Sequence, residues 1–497
     1  MVKSNIRQRI KGTEICGVTL PHCDTLIRNV RILDGTGAAT RADELAITDD
    51  VIERIGSLSG YTAERTFDGE GKVLAPGFID AHTHDDLYAL RAPEMLPKLS
   101  QGVTTVIAGN CGISAAPVTL NGRLPTPMNL LGDPEAFRYS SFSDYVAALR
   151  EVRPAVNVAA LVGHMSLRNN VMERFDRAAT AREIAAMRVQ LDDALEHGAL
   201  GLSTGLAYSA AHSAPTDEVM QLAEGLGPAH AIYATHIRSE GDGVLDALEE
   251  AICIGKHAKV PVVISHLKCN GIRNWKRSSE LLRLLDAQDD SAIGWDVYPY
   301  AASSTILDLN QVDERIEILI TWSTSHPEFS GKTLAQVATR WGVSQVEAAK
   351  RLLPAGAIYH SMSEEDVRAI LAHPRAMIGS DGLPNDKFPH PRLWGTFPRV
   401  LGHYSREQRL FPIAEAVRKM TSLPAQRFGL KNRGVVREGC AADLVLFSPE
   451  NVQDTASFTQ PVKAALGIDA VWVNGVLSYW KQTSTGERGG YFLPRSF

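Results

Sequence analysis

The sequence predicts an α/β protein, a (β/α)8 TIM-type barrel with a small discontinuous β-sandwich domain formed by both chain ends. Three observations carry this expectation. Eight strand-like apolar runs alternate with helical stretches through the middle of the 497 residues, as they do in a barrel. Histidines, a cysteine and an aspartate fall repeatedly just after those runs, where a barrel builds its mouth. The two chain ends share a different texture, short alternating runs broken by Gly and Asp, which is the hairpin signal.

In chain order, residues 1–23 read as a loose extension, basic at its start and with no apolar run behind it. Residues 24–74 supply the first part of the β domain: Asp24–Leu33, Glu44–Ile47 and Val51–Gly56 alternate around the turn Asp34-Gly-Thr-Gly. The barrel is expected over 75–433. Its strand runs are Ala75–Ala81, Val103–Ala108, Asn157–Val162, Leu200–Thr204, Ala231–Thr235, Val262–Ser265, Ala292–Val297 and Ala376–Gly379. The best helix signal lies at 180–198, where Thr180 and Glu183 have capping-box spacing, Ile184, Met187, Leu191 and Leu195 recur at helical intervals, and Gly198 can close the end. A lid-like insertion at about 303–375 separates the last two runs and is placed to roof the mouth. Its helical pieces are expected around Asp313–Trp322, Thr333–Leu353 and Ser363–Leu371. Residues 434–497 complete the β domain with Gly439–Phe447 and Ile468–Val476. A doubly wound open sheet shares the strand and helix alternation; the consistent position of the polar residues favours the barrel.

Composition excludes several classes. Hydrophobic residues at 44% and charged residues at 22% are those of a globular protein. A net charge of -6 without a basic cluster argues against a nucleic-acid partner. No run of eighteen apolar residues occurs, so no membrane span is expected. The six cysteines are scattered, which fits a reducing compartment, the cytoplasm by default. The expected partner is a small-molecule substrate; the sequence sets no oligomeric state.

His82 and His84 close the first run two residues apart, so their side chains leave one face. Alone they are equally a pair of satisfied strand-end histidines. Cys111, in Gly109-Asn-Cys-Gly112, follows the second run, His236 the fifth, His266 the sixth and Asp381 the eighth. A lone cysteine reads as a small buried hydrophobe; beside four histidines and an aspartate it reads as a ligand. One thiolate with two imidazoles suits a zinc ion whose fourth position stays open. The natural division gives one metal Cys111, His236 and His266, and gives His82, His84 and Asp381 a second, weaker site. Such mixed donors favour zinc over magnesium or calcium. Zinc lowers the pKa of bound water to about 7, and Asp381 is placed to take the proton and pass it to a leaving amine.

These residues together resemble the amidohydrolase superfamily, and more closely its N-acyl-D-amino-acid deacylase (D-aminoacylase) branch. The resemblance rests on Pro76-Gly-Phe-Ile-Asp-Ala-His-Thr-His-Asp-Asp86, Gly109-Asn-Cys-Gly112, Gly201-Leu-Ser-Thr-Gly-Leu206, Thr235-His-Ile-Arg-Ser-Glu-Gly-Asp242, Ile264-Ser-His-Leu-Lys268, Asp296-Val-Tyr-Pro-Tyr300, Ile378-Gly-Ser-Asp-Gly382 and His390-Pro-Arg-Leu-Trp-Gly-Thr-Phe-Pro-Arg399. It spans about residues 24 to 475. The glycine-flanked cysteine, standing where other branches use a carboxylated lysine, is its sharpest mark. The resemblance implies zinc-dependent hydrolysis of an N-acyl-D-amino acid by a metal-bound hydroxide. It assigns Cys111, His236 and His266 to the dominant zinc, and His82, His84 and Asp381 to the second position with Asp381 as acid/base. Arg392, Tyr298 and Ser304 would hold the substrate α-carboxylate, and Tyr208 would polarise the scissile carbonyl.

One departure follows Tyr208, where Ser-Ala-Ala-His-Ser-Ala-Pro215 replaces the proline-rich, glycine-containing turn usual in the branch. His212 within it reads as a solvated loop residue. His164, at another strand end, is expected to orient a ligand, and Lys268 to point into the mouth and meet an acidic substrate group. The enzymatic alternative is another amidohydrolase, such as a cyclic amidase, acting on a different amide or carbamate, since fold does not fix substrate. A scaffold protein without catalysis should have lost ligands, and all six are present.

Overall fold

Eight parallel strands follow one another in chain order in the computed structural model, which describes residues 13–15, 18–120, 122, 124–289 and 292–496. They are Phe78–Asp80, Val103–Ala108, Asn157–Ala160 continued past Leu161 by Val162–Gly163, Gly201–Gly205, Ile232–His236, Val262–Ile264, Ile293–Val297 and Ala376–Ile378. The first three form one sheet, and Val162–Gly163 opens a six-stranded sheet that runs to the eighth. Between the eighth and the first, Ala81 N donates to Ile378 O at 3.1 Å and Asp381 N to His82 O at 2.8 Å. Thr83 and Gly382 add a parallel bridge there. These strands are buried throughout, which is why they read as continuous apolar runs rather than alternating ones.

Helices return the chain between strands, as parallel pairing requires. The helix Ala181–Glu196 has the expected capping box, with Thr180 and Glu183 satisfying each other's backbone donors, a device worth about 1 kcal/mol. Met187, Leu191, Ala194 and Leu195 are its buried face, and Gly198 leaves it at φ 96°.

The chain ends meet in one nine-stranded mixed sheet. Here the expected first run divides. Val73–Pro76 pairs antiparallel with Leu444–Phe447 and parallel with His22–Ile32, whereas Phe78–Asp80 belongs to the parallel set. The break falls at Gly77, where a Cβ would stand 2.2 Å from Thr104. Ile27, Leu45, Ile52, Leu74, Leu444 and Trp472 share one buried cluster of this sheet, with Phe67 edge-on to Trp472 at 5.4 Å. The expected loose extension over 1–23 lies largely outside the described residues. Where described, Thr13–Ile15 pairs with Val18–Leu20, and His22 and Cys23 already belong to the strand His22–Ile32.

The insertion differs from expectation in its first piece. Asp313–Trp322 is not helical: Ile318–Ser323 is a strand, antiparallel to Ala355–Tyr359, which also pairs with Ser303–Ile306. Its Ile-Leu-Ile-Thr-Trp run is β-branched and aromatic, and a partner strand outweighs the helical spacing of the charges before it. Thr333–Leu353 is two helices, Leu334–Trp341 and Gln345–Leu352, separated where Gly342 takes φ 64°. The helix Glu364–Ala372 covers the third expected piece. Leu307, Ile320, Leu334, Val337 and Leu352 give the insertion its own core.

Candidate metal centre and active site

The six residues expected to bind metal converge. Donor atoms of His82, His84, Cys111 and Asp381 lie within 4.8 Å of one another, as do those of Cys111, His236 and His266. The thiol is the common member, with Cys111 Sγ 3.3 Å from both His82 Nε2 and His266 Nε2. The sequence division had given it to one metal alone. Asp381 Oδ1 is 3.2 Å from His84 Nε2 and 3.5 Å from His82 Nε2. Cys111, His266 and Asp381 all take positive φ, at 53°, 38° and 49°. Backbone strain of this kind persists where surrounding structure fixes it, as at ligand sites. Gly109 makes the turn before Cys111: a Cβ there would meet Leu161 O at 2.1 Å.

The outward ring nitrogens decide the tautomers. His82 Nδ1 faces Asp296 Oδ2 at 3.2 Å and His266 Nδ1 faces Glu240 Oε1 at 2.9 Å. Asp296 draws the His82 proton to Nδ1 and leaves the Nε2 lone pair directed at the cluster, the arrangement of a metal-ligating histidine; His266 Nδ1 also meets the Lys268 ammonium at 2.7 Å. Asp296 Oδ1 also accepts from His266 N at 3.0 Å, so it orients two candidate ligands. Charge follows the same pattern. Burial pushes the Cys111 thiol up, but His82 and His266 outweigh it and hold the group well below the usual thiol range. Burial likewise raises Asp381, and Arg392, whose Nη2 lies 2.9 Å from Asp381 Oδ2, with His266 and His84 keeps it well below a normal carboxylate. His84, opposed by burial, is drawn up to about 9 by Asp381 and Cys111. Thiolate and carboxylate donors that demand positive charge, with imidazoles whose free nitrogens converge on them, fit zinc.

A buried lysine that sequence reasoning missed ties the ligand-bearing strand ends together. Lys98 Nζ reaches Asp80 Oδ2 at 2.7 Å, Thr83 Oγ1 and Ser380 Oγ at 3.0 Å, and Asp85 Oδ2 at 3.1 Å. It thereby joins the chain carrying His82 and His84 to the chain carrying Asp381. Glu240 and Asp296 were also missed as ligand partners, although both stand inside the motifs quoted above.

Over the cluster opens a cleft of about 810 Å³ lined by Tyr208, Tyr298, Ser304 and Lys268 beside His84, His236, His266 and Asp381. The insertion contributes residues 303–311 and Leu353 to this lining. Tyr208 OH lies 3.3 Å from Thr305 Oγ1 and its ring 5.0 Å from that of His236. Burial and the charge on Cys111 hold its phenol well above the ordinary range, so it is protonated and able to donate. Arg392 is fully buried, its guanidinium 4.6 Å from the centre of the Tyr298 ring. One Arg392 nitrogen bonds Ser304 O at 3.0 Å, while Nε and Nη1, like Ser304 Oγ, have no protein partner. His390 holds this arginine in place, accepting from Arg392 N at 2.9 Å through Nδ1 and donating from Nε2 to Ala302 O at 3.1 Å.

Three expectations are revised. Lys268 lines the cleft, but its ammonium is already engaged, 2.5 Å from Glu240 Oε1 and 2.7 Å from His266 Nδ1. His164 orients no ligand: its Nε2 bonds Glu218 at 3.1 Å, and Glu218 pairs with Arg168. His212 is exposed yet lines the cleft, its Nδ1 3.3 Å from Leu206 O.

Imidazole, thiolate and carboxylate donors converging at the carboxyl ends of parallel strands define an α/β enzyme built around metal. The chain belongs to the amidohydrolase family, which it matches over residues 65–277 and 329–479. It is 48% identical over 477 residues to D-aminoacylase of Alcaligenes xylosoxydans xylosoxydans, covering 95% of this chain and 98% of that one. It is also 48% identical over 473 residues to N-acyl-D-aspartate deacylase of the same organism, covering 95% and 94%. A solved structure of N-acyl-D-glutamate deacylase from Bordetella bronchiseptica, complexed with zinc and a phosphonate mimic of the tetrahedral intermediate, matches with TM-score 0.91 at 45% identity, covering 95% of this chain and 100% of that one. These neighbours imply a TIM-type barrel domain for the eight parallel strands. No helix among the described residues is long and apolar enough to cross a membrane.

Proposed function

We propose that this chain is a zinc-dependent N-acyl-D-amino-acid deacylase, hydrolysing the amide to a carboxylate and the free D-amino acid. The observation that carries the reading is the convergence of imidazole nitrogens and Asp381 on the Cys111 sulfur beneath a cleft. Cys111, His236 and His266 would hold the tighter zinc, and His82, His84 and Asp381, reaching the shared sulfur, a second and weaker one. Zinc bound there supplies a water-derived nucleophile at neutral pH and polarises the carbonyl.

The chain's own groups do the rest. Tyr208 donates its phenolic proton in a hydrogen bond to the carbonyl oxygen as negative charge develops. Asp381, kept ionised by Arg392, accepts the proton of the attacking water and returns it to the leaving nitrogen. Arg392 Nε and Nη1, with Ser304 Oγ, offer the unpartnered donors that a substrate α-carboxylate would satisfy. Tyr298, whose phenol burial pushes up to about 12, is a neutral donor beside them. The insertion covers the cleft and limits water around these groups.

In the same reading, the catalytic barrel runs from Phe78 to about residue 433, and residues 22–76 with 434–497 form a small β-sandwich, supported by the sheet that joins both ends. The free thiols Cys23, Cys111, Cys253, Cys269 and Cys440 support a reducing, cytoplasmic setting. Purified protein is tested on N-acetyl-D-amino acids, their L-enantiomers and hydantoins. Turnover of the D-acyl compounds is expected; turnover of hydantoins or L-acyl compounds in their place would transfer the chain to a different amidohydrolase activity.

A further inference from the structure

We infer that Phe458 is a positioning residue for Arg392, acting through His390, so that a loop of the nine-stranded sheet sets how firmly the substrate α-carboxylate is held. The inference rests on the deacylase reading above, in which Arg392 takes that carboxylate.

Phe458 comes from the far end of the chain. It stands at the tip of the connection between Leu444–Phe447 and Ile468–Val473, antiparallel neighbours in that sheet. Gln453 and Leu466 pair across the base of this connection, and Ser457 and Gln460 close its tip with reciprocal backbone hydrogen bonds of 3.1 and 3.2 Å. The loop lies on the helix Arg392–Arg399, which Arg392 itself opens. Asp454 Oδ2 meets Arg399 Nη1 at 3.2 Å. Gly395 allows the close approach, since a Cβ there would stand 3.0 Å from the Asp454 Cβ and 2.7 Å from Tyr300 OH.

At the tip, the phenyl ring meets His390. Their centres are 5.0 Å apart with the planes at 80°, and Tyr300 stands against the same imidazole at 5.1 Å and 87°, both edge-to-face arrangements that aromatic pairs favour. Phe458 also packs on His360 of the insertion at 4.6 Å. Burial and the neighbouring guanidinium hold His390 well below the usual imidazole range, so its ring is neutral. A neutral ring accepts at one nitrogen and donates from the other, as His390 does with Arg392 N and Ala302 O. The hydrogen bonds fix the two ends of the ring, and the aromatic contacts fix its tilt.

Arg392 depends on that support. Its Nη2 is bound to Asp381 and Ser304 O, while Nε and Nη1 are the donors left for the carboxylate. A two-pronged grip on a carboxylate needs the fork already in place. Neither Phe458 nor His390 lines the cleft, so both act on placement and not by touching substrate.

The test uses zinc-loaded Phe458→Ala and the N-acetyl-D-amino acid that the unaltered enzyme turns over best. KM should rise by about tenfold or more, the loss expected when a hydrogen bond to a charged group is weakened, and by more than kcat falls. Inhibition by acetohydroxamate, which binds zinc and has no carboxylate, should keep its strength. Phe458→Leu, apolar but without a flat ring, carries the same readout where Phe458→Ala does not fold. His390→Ala should also raise KM, and adding Phe458→Ala to it should raise KM no further. Gln460→Ala, at the exposed tip of the same loop, should leave KM unchanged. An unchanged KM in the Phe458 variants, an equal weakening of acetohydroxamate, or additive effects of the two substitutions overturns the inference and leaves the deacylase reading intact. Failure of the unaltered enzyme to turn over any N-acetyl-D-amino acid overturns the deacylase reading itself.

Discussion

Replacing Lys98 with methionine removes the ammonium that joins Asp80, Asp85, Thr83 and Ser380 under the candidate metal ligands. Lys98, Asp80 and Asp85 are each 0% exposed, so the pair is unscreened by solvent. Burial pushes the lysine toward neutrality, but Asp80 and Asp85 outweigh it and hold its pKa above normal. Removing one partner of a buried ion pair costs about 3–5 kcal/mol, because the other charge is left uncompensated. Here that carboxylate lies two residues from His82, so the loss should appear both in stability and in metal retention. Thermal and urea unfolding of Lys98→Met, with zinc measured on the folded fraction, are expected to show a lower midpoint and less zinc. Adding Asp85→Asn should recover part of the stability by neutralising one of the two stranded carboxylates. Unchanged midpoints and full zinc in Lys98→Met would show that the network neither supports the fold nor fixes the ligands.

Four further outcomes follow from the same geometry. Cys111→Ala should weaken zinc binding by more than about 100-fold, beyond the effect of losing an outer partner, as read by competition with a chromophoric chelator. Asp296→Asn removes the anionic partner of His82 Nδ1 and should weaken it by about 10–100-fold in the same titration. Asp381→Asn should lower kcat by about 10²- to 10⁴-fold, measured with zinc in excess; a change confined to KM would deny it the proton-transfer role. Burial opposes ionisation of Glu218, but His164 and Arg168 outweigh it and lower its pKa from 4.5 to about 2. A depressed carboxylate contributes stability that is full above the unfolded value and lost as pH falls from about 4.5 toward 2. Urea unfolding of Glu218→Gln against the parent should therefore show a gap that shrinks from pH 6 to pH 3, and a constant gap would refute the assignment.

The strand ends were legible in the sequence because both signals there are local. A buried parallel strand is a short apolar run, and each candidate ligand follows its run directly. The fold around them was less so. Pro76-Gly77 looked like the start of one strand when it divides two sheets, because pairing with Leu444–Phe447 is set from the far end of the chain. Asp313–Trp322 kept the spacing of a helix, and only the antiparallel partner 355–359 makes a strand of its second half, from Ile318. Lys98 was invisible for the same reason: a lysine in an ordinary helical stretch acquires its meaning from Asp80 on one strand and Ser380 just past another. Lys268 lines the cleft, but its charge could not be counted as available until Glu240 was seen beside it. His164 shows the converse error, a strand-end histidine expected to orient a ligand whose Nε2 bonds Glu218 instead.

The most direct test of a Cys111-centred zinc site that hydrolyses N-acyl-D-amino acids is removal and return of the metal. Chelated protein should lose turnover of N-acetyl-D-leucine, regain it with the first equivalent of zinc, and fail to regain it at that zinc level when Cys111 is alanine. Full turnover by the chelated protein, or equal recovery by Cys111→Ala, would contradict it.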